Sequence, residues 1–548
     1  MLRFLLPLLL SAAPALSQTR AEVMDHVFLT AQRAGITAAS QALAQSATRI
    51  AAGRADLAAL LREQQDGGAA LQHLTDTLAR ATSGTGAASE AEQADLTRRI
   101  STLRERLTKR DARIGAEFPE FRELTRPAPL SVAEVQAMLD PDEALIFTLS
   151  DTHRTYIWAI TPTAADWHRA ETPLVQRREQ VRTLRLQLSA TGGERAGVSL
   201  HPDAPRPLGQ PFDRVTAHAI YADLFAPLEH VFGGARHVMA VLDGPLTSLP
   251  LALLVQSPPR GDDTDPAALR ATDWMVKRHA LTTLPNVSAL RVLRFARGRM
   301  DRGEKQPFIG FGDPVLGYRL TLAEADTGAP TIITRGVYED VARVADLAPL
   351  PNTARELRRL AATMGADAST VFLADQATET RVKATDFSRA RVVAFATHGL
   401  LADGLPGLAE PALVFTPPET PSETDDALLT ATEAAQLKLG AELVILSACD
   451  TAGGDGTPGA EGLSGLARAF LYAGARAILV SHWPVDDYAA SVLTTEMLSL
   501  MYGAAPRTRA QALQGAMLDL MRDESEARFA HPRLWAPFVV VGEGGRDG

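Results

Sequence analysis

Three short apolar runs in the last third of the chain constrain its fold most: Arg391 to Ala396, Leu443 to Leu446 and Ala477 to Val480. None alternates apolar with polar residues, so each predicts a strand buried on both faces, as in a parallel sheet covered by helices. Between the second and third runs lies a Gly-rich turn, Gly453 to Gly465, which leads into apolar residues at helical spacing (Leu463, Leu466, Ala467, Phe470, Leu471). That is a βαβ unit, and the class it predicts is α/β. Open α/β sheets bind ligands just outside the carboxyl ends of their strands.

Two of these runs end in residues that carry chemistry. Leu446 is followed by Ser447-Ala448-Cys449-Asp450, and Ala396 by Thr397-His398-Gly399. The histidine and cysteine are separated by roughly 50 residues, the interval noted for caspases, and Ala448-Cys449 echoes part of their nucleophile signature. A thiolate is the nucleophile, and an imidazole beside it accepts the thiol proton and holds the resulting charge. Metal ligation would need further ligands at short spacing, and neither the single cysteine nor the scattered histidines supply them. Gly453-Gly454-Asp455-Gly456 follows a strand but lacks the Lys-Ser/Thr of a phosphate-binding loop. A cysteine-protease dyad of His398 and Cys449, with no metal or cofactor, is the chemistry these residues suggest.

At the same residues the chain resembles the CHAT domain proteins, caspase-like and separase-like cysteine peptidases of clan CD. The likeness runs through FATHGLL, GLAEPALVFTPP, LLTATEAAQL, LVILSACDTAGG, GAEGLSGLARAFLYAGARAILVSHWPVDD and AHPRLWAPFVVVG. Upstream it takes in VLDGPLTSLPLALL, TLPNVSALRVLR and FIGFGDPVL, so it covers most of the chain from about residue 120 onward. The resemblance implies a caspase-like parallel-sheet peptidase with His398 and Cys449 catalytic. It further implies a degenerate α/β companion subdomain, and an oxyanion held by the backbone N–H groups of Gly399 and Cys449. Asp450 departs from the family, many of whose members carry Asn there, which bears on substrate preference. Family members commonly carry tetratricopeptide repeats ahead of the peptidase, but no 34-residue recurrence is visible here.

The chain has 548 residues, 46% hydrophobic and 22% charged, enough for a large core and more than one domain. A formal charge of −10 without a Lys/Arg run argues against nucleic acid as a partner. MLRFLLPLLLSAAPALSQ has Arg3, an apolar run from Phe4 to Leu10 and small residues before a cut expected after Ser17. It reads as a secretory signal peptide, with no later segment long and apolar enough to cross a bilayer. Export to a bacterial periplasm or the exterior follows as an expectation. An exported chain with one cysteine forms no internal disulfide, so its free thiol suggests a use.

The domain boundaries expected are a signal peptide over 1–17, a helical hairpin and coiled-coil-like region over 18–125, the companion subdomain over 126–300 and the catalytic subdomain over 301–548. Val27, Ala31, Ala34, Ala38 and Ala42 recur at helical spacing; Leu96, Ile100, Leu103, Leu107 and Ile114 fit two and a half heptads, short of what a coiled-coil dimer needs. Ala144 to Leu149 and Arg154 to Ile160 predict a hairpin, Leu174 to Ser189 and Ala217 to Leu228 helices, His237 to Leu242 a buried strand. Later, Phe308 to Gly312 and Val371 to Ala374 read as strands, with Asn352 and Thr378 as caps of the helices from Ala354 and Glu379. The turn Asp243-Gly244-Pro245-Leu246 resembles one after a catalytic strand, but this half has no cysteine. Pro417 to Glu423 is a proline-rich excursion between the two catalytic strands, suited to gating access.

Acidic residues near the nucleophile suggest a pocket for a cationic P1 side chain, with Asp450 and Asp487 as carboxylates and Trp483 as an apolar wall. The competing reading is that Asp486-Asp487 simply start a helix. The function expected is hydrolysis of protein or peptide substrates by an exported endopeptidase, with room for a regulatory protein partner. Three alternatives stand beside it: a catalytically silent peptidase fold acting as a binding scaffold, an acyl transferase using the same dyad, and a purely structural protein.

Overall fold

A computed structural model describes residues 20–34, 90–117, 129–188, 210–296, 305–316, 349–400, 410–420, 425–447, 465–483 and 485–545, with a few isolated residues besides. The signal-peptide region, residues 83–88 and 192–209, and most of the Gly453 to Gly465 turn lie outside the described residues. So do Cys449 and Asp450.

Helix α1 (Arg20–Ala34) docks on the body through Phe28 and Ala31, both fully buried. Its Gln32 side chain both accepts from Leu130 N at 2.9 Å and donates to Leu130 O at 2.7 Å, so the helix is fastened in place by a backbone amide 98 positions away. Helix α2 (Glu90–Glu117) carries the heptad-like stripe, in which Ile100 is buried. Helix α3 (Val132–Met138) opens with a capping box between Ser131 and Glu134.

The body is built on one sheet. Strands β1 (Glu143–Ser150), β2 (Thr155–Ile160) and β3 (Ala165–Ala170) form an antiparallel meander, its third strand unforeseen because ADWHRA alternates over only four residues and carries no β-branched side chain. Helices α4 (Leu174–Leu188) and α5 (Arg214–Leu224) follow, and then β4 (His237–Val241) and β5 (Ala280–Thr283), parallel to each other and, through β4, to β1. Helix α6 (Ala289–Ala296) closes this half.

The second half runs β6 (Gln306–Gly312), α7 (Pro351–Thr363), β7 (Val371–Leu373), α8 (Glu379–Ala384) and β8 (Ala390–Ala396). A small sheet of β9 (Gly399–Leu400), β10 (Ala412–Val414) and β11 (Leu428–Thr430) branches off before β12 (Leu443–Leu446). The chain ends with α9 (Gly465–Ala473), β13 (Ala477–Ser481), α10 (Asp487–Tyr502), α11 (Arg509–Arg522) and β14 (Phe538–Gly542).

The order across the main sheet of 11 strands is β3-β2-β1-β4-β5-β14-β13-β12-β8-β6-β7. The five strands from β13 to β7 are parallel, as their unbroken apolar runs predict. In β8, Val392, Ala394 and Ala396 enter the core on one face while Val393 and Phe395 enter it on the other; β12 divides Leu443 and Ile445 from Val444 and Leu446 in the same way. The last strand, β14, is antiparallel to β13 and also pairs with β5, so the end of the chain stitches the two halves into a continuous sheet.

Helix α7 approaches the sheet closely. A Cβ on Gly312 would stand 2.6 Å from Ala396 O and 2.7 Å from Leu357 Cδ1, which is why FIGFG places glycines at the two positions facing this helix. The helix starts at Pro351 in its first turn, with Leu350 as N-cap and no side-chain capping bond. The expected Asn352 cap is therefore corrected: proline, which needs no partner for a missing N–H, initiates the helix three residues before Ala354. Thr378 does cap α8, accepting from Arg381 N at 3.2 Å.

Candidate active site

Strands β6, β8 and β12 lie side by side, and their carboxyl ends are each fastened by a side-chain hydroxyl. At the end of β6, Asp313 N donates to Thr353 Oγ1 of α7 at 2.9 Å. Past β8, Thr397, itself buried, donates its hydroxyl to Val414 O at 2.5 Å. Beyond β12, Ser447 donates its backbone N–H to Phe395 O at 2.9 Å and its hydroxyl to Glu356 Oε2 of α7 at 3.3 Å.

His398 follows Thr397 at this edge and is half-buried, with its carbonyl accepting from Val414 N at 3.0 Å. Gly399 begins β9 and pairs with Leu413. β12 is in register with β8 over Leu443↔Val392 to Leu446↔Phe395, so the chain leaves β12 through Ser447 beside the exit of β8. The sole cysteine is two residues further along the chain.

Two other histidines near this part of the fold are unsuited to proton transfer. Burial, with Arg185 adding to it, pushes the imidazole of His482 down to about 3, and burial takes that of His531 down to about 4. Both stay neutral through the physiological range. Asp313, one strand away from His398, was not singled out from the sequence. Partial burial holds its carboxyl above the ordinary carboxylate range, with Arg358 pulling the other way. Its backbone is left-handed, at φ 51°, which FGDP in the sequence hints at only as a turn.

The expected substrate pocket changes in one part. Trp483 is 0% exposed: its indole N–H donates to Arg533 O at 2.9 Å, and the Arg185 guanidinium lies over its ring, 5.8 Å from the centroid. The reason is that it follows β13, which lies in the middle of the sheet, where helices and the 530s segment close over it. No ring face is left to line a surface pocket. Asp486 caps α10, accepting from Tyr488 N and Ala489 N at 3.1 Å, and pairs with Arg528 at 2.9 Å. It is the start-of-helix role that accounts for this acid. Asp487 is the first residue of α10. Among the described residues no group of three or more His, Cys, Asp or Glu side chains is arranged to hold a metal, and no helix is long and apolar enough to cross a membrane.

Residues 214–543, well over half of the chain, match the CHAT domain, and the protein belongs to that family. It is 26% identical over 369 residues to human tetratricopeptide repeat protein 28, an alignment covering 60% of this chain and 13% of that protein. The mouse protein of the same name is 27% identical over 384 residues, covering 63% and 14%. The chain thus spans about one seventh of the length of these curated relatives. Among solved structures, the Arg-specific cysteine proteinase gingipain R aligns with 61% of this chain and 67% of its own, at 12% identity and a TM-score of 0.32. Separase of Saccharomyces cerevisiae, solved with securin, aligns with 98% of this chain and 42% of its own, at 10% identity and a TM-score of 0.38.

Proposed function

We propose that this CHAT protein is an exported cysteine endopeptidase that hydrolyses protein substrates through His398 and Cys449. The observation that carries the reading is the adjacency of two strand exits: β8 delivers a half-buried histidine at the same sheet edge where β12 leads, two residues past Ser447, to the only cysteine. In this reaction His398 takes the thiol proton, and the sulfur attacks the scissile carbonyl. The oxyanion is held by the N–H groups of Gly399 and Cys449. The imidazolium then protonates the leaving amine, and a thioester remains. Water, deprotonated by His398, releases the acid and restores the thiol.

Specificity for a basic P1 residue would rest on Asp450 and Asp487, without a contribution from Trp483. Matched peptides with Arg, Lys, Leu and Asp at P1 measure it, and an Arg preference that survives both Asp450→Asn and Asp487→Asn removes those carboxylates from the pocket. Cleavage that persists undiminished in Cys449→Ala would end the peptidase reading and leave the protein as a binding scaffold. Export predicts a mature chain starting at Gln18, which intact mass of the secreted protein checks.

A further inference from the structure

We propose that Glu356 is a positioning residue for the nucleophile, setting the exit of β12 through Ser447. The inference rests on the His398–Cys449 reading and adds to it a residue that never touches the substrate. Glu356 lies in α7, is 4% exposed, and has both carboxyl oxygens engaged by hydroxyls from different elements. Ser447 donates to Oε2 at 3.3 Å, and Thr494, fully buried in α10, donates to Oε1 at 3.2 Å.

A carboxylate in such a place is costly to desolvate, and an apolar side chain would tie two helices together at less expense. What a carboxylate adds is directional: it holds the Ser447 hydroxyl from beneath the sheet while the Ser447 N–H is held by Phe395 of β8. Ser447 is thus clamped between the strand that leads to His398 and the helix against which β6 packs. Cys449 follows Ser447 by two residues in the sequence, so the anchoring of Ser447 bears on the nucleophile of the proposed dyad. Catalysis by two groups is steep in their separation, so a displacement of about 1 Å here costs on the order of 100-fold in rate.

The close approach of α7 is what brings Glu356 within reach. Gly310 and Gly312 allow Leu357 to press on β6, and Glu356, its neighbour, reaches the end of β12. Thr494 also lies 2.8 Å from Ala490 O. In Glu356→Gln the amide oxygen can still accept from Ser447, while the amide nitrogen donates to Thr494, whose own proton turns to Ala490. The conservative variant should therefore rescue function.

The experiment compares wild type, Ser447→Ala, Glu356→Met and Glu356→Gln in peptide hydrolysis and in alkylation of the single thiol by iodoacetamide across pH. Ser447→Ala and Glu356→Met should lower kcat about 10- to 100-fold with KM within about twofold. They should also move the alkylation midpoint up toward the ordinary thiol value of about 8.5, while Glu356→Gln stays near wild type. Ser447→Ala deletes one oxygen and keeps the test decisive if Glu356→Met fails to fold. A depressed wild-type midpoint that Ser447→Ala leaves in place, with kcat unchanged, overturns the role of Glu356 alone. A wild-type midpoint near about 8.5 overturns the dyad and this inference with it.

Discussion

The exit of β4 in the first half and the exits of β8 and β12 in the second begin from similar sequences and end differently. After β4 the chain turns at Gly244, with φ 62°, into a short 3-10 helix whose five residues, Gly244–Ser248, are all buried. Asp243 is knitted into β1, accepting from Ser150 N and donating its own N–H to Thr148 Oγ1, each at 3.0 Å. After β8, His398, Gly399 and Leu400 keep part of their surface. The same kind of strand thus supports a sealed end in one half and an accessible one in the other. A strand end becomes a site when its polar groups are held by neighbours without being covered by them.

The sharpest way to break this contrast is to mutate both ends. On the proposed dyad, His398→Ala should lower peptide turnover by on the order of 1,000-fold while leaving Tm nearly unchanged, because the position is partly exposed. Asp243→Ala should do the reverse, costing about 1–3 kcal/mol by leaving Ser150 N–H without its acceptor and sparing kcat. Equal losses of activity in the two variants would show that the first half takes part in the chemistry.

The next largest effect concerns the seam where the halves join. Glu143 of β1, His237 of β4, Arg294 of α6 and Glu543 just past β14 form a buried cluster, with Arg294 paired to Glu143 and 3.6 Å from Glu543. Burial opposes ionisation of Glu143, but the hydrogen bond with His237 and the charge on Arg294 outweigh it and pull the carboxyl from 4.5 to about 2. A depressed acid stabilises the fold above its unfolded value, so this contribution is present above pH 4.5 and is lost as pH falls toward about 2. Arg294→Met should cost about 3–5 kcal/mol in urea unfolding at neutral pH, since it removes the guanidinium charge beside two buried carboxylates. The penalty should shrink in acid; a cost independent of pH would show that packing, not charge, binds the halves.

Smaller effects are expected within the second half. Gly312→Ala should destabilise by about 1–3 kcal/mol, because the new methyl meets the Ala396 carbonyl and Leu357, and α7 must retreat. Activity should fall with it if α7 places Glu356, and kcat measured well below Tm reads that. Glu379, fully buried at the start of α8, is pushed up by burial to about 8, with Lys383 opposing and Glu433 and Asp426 adding to the rise. Its proton is held more tightly in the fold than in the unfolded chain. The stability this gives is complete below pH 4.5 and is lost as pH rises through about 8. Glu379→Gln should therefore flatten the decline of Tm between about pH 5 and pH 9, by a few degrees; an unchanged slope would mean the carboxyl is already ionised at neutral pH.

Much of this molecule is legible in its residues taken locally. Unbroken apolar runs identify β8, β12 and β13, because a strand covered on both faces leaves no position for a polar side chain. The residues that follow those runs place His398 at a strand end, and Thr378 announces α8 because a cap is satisfied within one turn. Other features depend on which element happens to lie alongside. Trp483 looks like a wall until the 530s segment closes over it; Asn352 looks like a cap until Pro351 starts the helix. Glu356 sits among Arg355, Arg358 and Arg359 and reads as one more charge on a solvated face. Its burial against Ser447 and Thr494 depends on α7, α10 and β12 meeting across separations of 91 and 138 residues. Periodicity and capping act over a few residues, so the sequence by itself determined β8, β12 and β13, several helix starts and the place of His398 just past a strand end. The insertion of β14 beside β5, the sealing of one strand end and the clamp on another were decided only by tertiary packing, because each depends on partners that local patterns do not encode.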